Sequence, residues 1–157
     1  MDFLFFQKSY LCYKFKAKDE YSLHSPFMFD FFVNGLKISC KNSDIVFSPE
    51  LEARIPKTKS LRKFLFKTFR YLESKEIDLI YIDSESFVKE NLEQIKNCNS
   101  ETAIVIEGIY NDRLKNELWK SLQADENFKI CCDFFYFGII FITDKPLKKQ
   151  NYILRKK

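Results

Sequence analysis

A chain of 157 residues, 46% apolar and 17% aromatic, suffices for one domain that buries roughly two-thirds of its unfolded surface, and is too short for a second independent core. Eighteen phenylalanines predict a ring-rich interior and exclude a disordered chain. The net charge of +4 does not by itself mark a nucleic-acid binder, and the three glycines, Gly35, Gly108 and Gly138, lie too far apart to cradle a phosphate.

The expected organisation is one domain in three segments: helices in residues 1–42, a connector and basic helix in 43–76, and a β-α-β-α-β-β core in 77–157. Phe3, Phe6, Tyr10 and Tyr13 recur at helical spacing over residues 3–16, predicting a docking helix. Its lysines also suit an anionic membrane surface, although core packing is the plainer expectation. HSPFMFDFF, residues 24–32, carries a helix-start signature with Ser25 as N-cap and Pro26 at the first helical position. His24, the chain's only histidine, is there either a structural hydrogen-bonding residue or a catalytic base.

Residues 44–48, DIVFS, read as a short strand, and Pro49 and Pro56 bracket a polar connector. LRKFLFKTFRYL, which follows Ser60, is a basic amphipathic helix. Arg62, Lys63, Lys67 and Arg70 are its candidate anion-binding residues, with Lys57 and Lys59 close by, for nucleic acid or acidic lipid. IDLIYID, residues 77–83, is the clearest strand, and its β-branched and aromatic run predicts a central parallel strand covered on both faces. A helix over 85–96, a strand over 102–106 and a helix over 111–123 follow, giving one βαβ unit with a right-handed crossover. Two runs, 128–134 and 136–143, stand so close that they must form an antiparallel hairpin, and the basic tail contains a short apolar YIL that either adds an edge strand or docks on the sheet.

Five cysteines, an odd number without CxxC spacing, predict packing thiols in a reducing compartment and no structural zinc. The N-terminal FLFF is too short for a signal peptide, and the longest uncharged apolar run, residues 134–143, is about half a membrane span. A cytoplasmic protein is expected.

HSPFMFDFF, DLIYID, TAIVIEGIY, DFFYFGIIFI and KKQNYILR together resemble the class I S-adenosylmethionine-dependent methyltransferases of Bacteroidetes-type bacteria, over roughly residues 15–40 and 75–155. The resemblance implies a Rossmann-like sheet that closes on the antiparallel hairpin, with S-adenosylmethionine as cofactor. The family's glycine-rich turn and its ribose-binding acid have no counterpart in this sequence, and too few residues precede IDLIYID for the first half of such a sheet. Relatives tend to carry Asp-Gly-Asn-His where this chain has Asp83, Ser84, Glu85 and Ser86, and paired acids where it has Glu107 and Gly108. The expected fold is therefore a truncated Rossmann-like methyltransferase sheet, with parallel strands, a C-terminal hairpin and N-terminal helices.

Asp83 and Glu107 end neighbouring strands, and ligands of open α/β sheets bind beyond such ends, so these two are catalytic candidates, with His24, the one histidine, as a third. Asp83 and Ser84 are the candidates for cofactor binding. A hard cation there needs more oxygen ligands, for which Glu85 and Asp112 are nearby, but helix capping is the plainer role of these carboxylates and no metal is expected. Three functions follow: a shortened homologue that does not bind S-adenosylmethionine alone and serves in binding or assembly, an active methyltransferase with a partner-completed site, or an anion-binding module. Loss of half a sheet would bare the 77–82 strand edge, which residues 44–48 or a second copy of the chain would then cover.

Overall fold

The computed structural model describes residues 2–19 and 23–155. In chain order its elements are α1 (Phe3–Lys16), α2 (Pro26–Asp30, continued by a π-helical turn over Phe31–Leu36), α3 (Pro49–Arg54) and α4 (Lys59–Ser74). Then come β1 (Asp78–Ile82), α5 (Leu92–Lys96), β2 (Thr102–Glu107), α6 (Arg113–Ala124), β3 (Ile130–Asp133), β4 (Phe137–Ile142) and β5 (Gln150–Ile153). These elements gather into two compact units: a sheet unit made of the N-terminal segment through Lys18 with Asp78–Arg155, and a helical unit, Asp19–Ile77.

The sheet unit is mixed α/β, with five strands in the order β1-β2-β4-β3-β5. β1 runs parallel to β2 with Ile80 opposite Ile104, while β4 is antiparallel to both β2 and β3. The expected hairpin forms because only Phe134–Tyr136 separate its strands, and Phe135 turns the chain with a left-handed φ of 67°. The YIL tail becomes β5, an edge strand parallel to β3. On one face, Ile104, Ile106, Cys131 and Ile140 pack with Leu118, Trp119 and Leu122 of α6 and Ile95 of α5. Burying each such aliphatic or aromatic side chain contributes roughly 1.5–3 kcal/mol. Alternate residues Ala103, Val105, Cys132 and Ile139 are fully buried as well, so β2, β3 and β4 have both faces covered.

β1 departs from expectation. It lies at the margin of the sheet with Ile80 38% exposed, and β2 is its one neighbour among the described strands. Residues 44–48 are not a strand, because local side-chain bonds displace a ladder there. Asn42–Asp44 form a 3-10 turn in which Asp44 accepts from Lys41 N at 3.0 Å, and Ser48 caps α3 by accepting from Leu51 N at 3.4 Å. The helix expected over 85–96 shrinks to α5 for a similar reason. Asp83 Oδ1 accepts from Ser86 N at 2.9 Å, Asn91 Nδ2 donates to Ser86 O at 2.8 Å, and Val88 between them is extended.

α1 spans the predicted residues, with Asp2 Oδ1 accepting from Phe5 N as its cap. Phe6, Tyr10 and Tyr13 surround Phe135 at centroid distances of 5.0, 4.9 and 5.3 Å, whereas Phe3 is 64% exposed. The helix is fastened at both ends. Asp2 N donates to Asn111 O at 3.1 Å, the Tyr13 hydroxyl donates to Leu154 O, and Lys18 pairs with the strand that continues β5. Lys18 N donates to Ile153 O and Arg155 N to Lys18 O.

In the helical unit Ser25 and Pro26 start α2 as predicted. Asp30 then ties α2 to α4, accepting from the Tyr71 hydroxyl at 2.6 Å and pairing with Lys75 Nζ at 2.9 Å. Tyr71, Asn34 and Lys75 together hold its carboxyl down at about 2. α4 turns Phe64, Leu65, Thr68, Tyr71 and Leu72 inward. Among the described residues no helix is long and apolar enough to cross a membrane.

Gly138 is packed directly against a ring, so that an added Cβ would stand 2.6 Å from Trp119 Cζ3. Gly138→Ala is therefore expected to destabilise the protein by about 1–3 kcal/mol through overpacking. Equilibrium denaturation should show that loss shrinking when Trp119→Leu is introduced alongside, because the two positions are in contact.

Candidate functional site

The carboxyl ends of β1 and β2 bring together Asp83, Ser84, Glu107 and Gly108. Each strand contributes because both run in the same direction in register, with Ile82 opposite Ile106. The Tyr81 hydroxyl donates to Glu107 Oε2 at 2.5 Å. Ser84 Oγ accepts from Asn111 Nδ2 at 2.7 Å and from Lys115 Nζ at 2.8 Å, and Lys115 also donates to the Ser84 carbonyl. Asn111 and Lys115, four residues apart at the start of α6, are functional-site residues that the strand-end rule does not reach. Asn111 lies ahead of the Asp112 cap, outside the helix, and Lys115 stands in its first turn, so no regular spacing links them in the sequence.

Asp83 spends one oxygen on Ser86 N, and Asp112 caps α6 by accepting from Lys115 N at 2.9 Å. Asp112 thus takes the helix-capping role, whereas Asp83 closes a turn that starts no helix. Among the described residues no group of three or more His, Cys, Asp or Glu side chains is placed to share an ion. Ser84 is not a helix cap, since its hydroxyl faces Asn111 and Lys115.

Gly108 makes the turn after β2 with a left-handed φ of 76°. The place where its Cβ would stand is already filled, with Ser84 Oγ and Asn111 Nδ2 both 2.6 Å away. At Gly108 the chain's own side chains thus cover the backbone. Gly108 N is also engaged, donating to Tyr136 O at 2.8 Å.

Beyond this turn the sheet unit holds a buried carboxylate that the sequence did not single out. Asp133, 1% exposed, accepts from Tyr110 Oη at 2.7 Å, Phe135 N at 2.8 Å and Trp119 Nε1 at 3.4 Å. Burial raises its pKa against the pull of those three donors, and burial also raises that of Tyr110. Of the cysteines, Cys131 and Cys132 are buried, and burial pushes Cys131 up to about 11, as expected of packing thiols.

The remaining candidates belong to the helical unit. His24 is exposed, immediately before the Ser25 cap. The four basic candidates of α4 do not act alike. Arg62 forms a fork with Glu52, at 2.7 and 2.9 Å, and lies over the Phe47 ring. Arg70 is exposed over the Phe66 ring. Lys63 and Lys67 instead line a cleft that Lys37 and Lys59 also enter.

Compared with protein-family models, with curated proteins and with solved structures, the chain matches none.

Glu107 supplies a test of this geometry. Burial, aided by the Asp83 charge, raises its pKa above the ordinary 4.5, opposed by Tyr81 and Lys115. The folded state therefore holds a proton that the unfolded chain has released, and stability should rise as pH falls through the folded value toward 4.5. Denaturation at a series of pH values should show that gain in the parent protein and its loss in Glu107→Gln. An unchanged difference between the two across that range would contradict it.

Proposed function

We propose that the protein is a methyltransferase-like scaffold that does not hold S-adenosylmethionine by itself and serves as a binding or assembly protein. One observation carries this: the turn at the β1 and β2 ends is filled by the chain's own side chains. The resemblance leads to this place for a cofactor, and the residues there do not fit one. A nucleoside needs backbone it can approach closely, whereas Ser84 and Asn111 occupy the space over Gly108. A sulfonium cation would also meet the ammonium of Lys115, which donates to Ser84.

Support for the methyltransferase likeness comes from topology. Two parallel strands followed by an antiparallel hairpin, with β4 inserted between β2 and β3, agree with the truncated Rossmann-like sheet that the resemblance implies. An assembly role is supported by β1, whose outer edge pairs with no other described strand. A second copy laid along that edge would continue the ladder.

The proposal is tested by thermal unfolding with S-adenosylmethionine or its demethylated product, together with sedimentation to read oligomeric state. Neither nucleoside should move the transition, although a ligand at a hundred times its dissociation constant would add about 2.7 kcal/mol. A saturable upward shift that Asp83→Asn abolishes would replace this proposal with an active enzyme, and a monomer at all concentrations would remove the second copy from it.

A further inference from the structure

α4 opens with Lys59, Lys63 and Lys67 at i, i+4 and i+8, about 6 Å of helix rise apart. Like charges at that spacing repel, and the first turn of a helix favours anions over cations. Nothing in the helix offsets this. Its first turn has no acidic residue and Thr58 gives no side-chain cap, while Glu52 is engaged by the Arg62 fork. The three lysines face a cleft of about 690 Å³, and Lys37 enters it from the end of the π-helical turn. Among the described lining residues there is no Asp or Glu, and Leu36 and Phe64 supply an apolar wall. Lys67 is fixed in place by donating to the Leu36 carbonyl at 2.8 Å, and burial lowers its pKa.

We infer that this cleft is a binding site for a phosphorylated small molecule, its phosphate held among Lys37, Lys59, Lys63 and Lys67 and its apolar body against Leu36 and Phe64. The volume lies within the range of small-ligand pockets. An anion there offsets both the lysine repulsion and the helix dipole, which explains why a fold would keep so unfavourable a pattern. A nucleic-acid surface is the weaker match. It needs basic residues spread along a track, whereas Arg62 is held by Glu52 and Arg70 does not line the cleft. All these residues belong to the helical unit, so the inference stands apart from the methyltransferase likeness of the sheet.

Titration with inorganic pyrophosphate at low salt, followed by calorimetry and amide NMR, tests it. Binding should perturb Lys59, Ser60 and Lys63, weaken at least about tenfold in Lys59→Gln/Lys63→Gln, and change by less than about twofold in Arg70→Gln. The double variant should keep its fold with an unchanged or higher melting temperature, since it only relieves repulsion. Phosphatidylcholine vesicles with and without a phosphoinositide separate the two sources of phosphate: retention by the phosphoinositide vesicles alone, lost in the double variant, would make the ligand a lipid headgroup. Absence of pyrophosphate binding would overturn the inference. So would equal losses in Arg70→Gln and Lys63→Gln, or binding confined to a short single-stranded RNA.

Discussion

Asp133 is the residue on which the sheet unit depends most. Taking a carboxylate out of water is unfavourable unless donors replace the lost hydration, and Tyr110, Trp119 and the Phe135 amide do so. Each donor comes from a different place: the turn after β2, the middle of α6 and the hairpin bend. One side chain thereby sets where α6 crosses the sheet and holds Phe135 in a left-handed conformation that a bulky residue seldom adopts. The ring of Phe135 then becomes the centre of an aromatic cluster, stacked on Tyr110 at 4.8 Å with Phe6 and Tyr10 edge-on to it. Without the carboxylate the bend would lose its reason for that shape, and α1 would lose its seat.

The two units use charge in opposite ways. In the sheet unit the polar groups at the strand ends satisfy one another: Tyr81 with Glu107, Asn111 and Lys115 with Ser84, Asp83 with the Ser86 amide. Groups arranged like this stiffen a turn and leave little affinity for anything else. The lysines of α4 remain as a like-charged set facing a concave surface. These lysines lie on the basic helix in which the sequence placed its candidates for anions.

Strands and hairpin were legible because their signals are local: a β-branched run for β2, two runs too close for a crossover in the case of β3 and β4. The helix starts at Ser25 and before α6 were legible for the same reason, as caps act within one turn. What escaped depended on competition or distance. Residues 44–48 have strand composition, yet Asp44 and Ser48 bond to nearby amides instead. The apolar spacing of 85–96 suggested a helix that Asp83 and Asn91 interrupt. β1 resembled a central strand because composition reports hydrophobicity without reporting how many neighbours a strand will find. The knot at Asp133 joins residues 14 and 23 positions away, and no periodicity announces such a meeting. Among the anion candidates, charge was visible but occupancy was not: Arg62 is spoken for by a glutamate ten residues earlier.

The fastening of α1 has a bearing on how the protein comes into being. Tyr13 and Leu154 meet across 141 positions, and Arg155 reaches back 138 positions to Ala17. A ribosome emits α1 well before β5, and its docking partners on that strand emerge only after the entire helical unit and four other strands. During translation the helix must wait with its aromatic side bare, and the search for so distant a partner slows the final step. The helical unit, whose contacts lie within a single continuous stretch, is free to fold while that wait lasts.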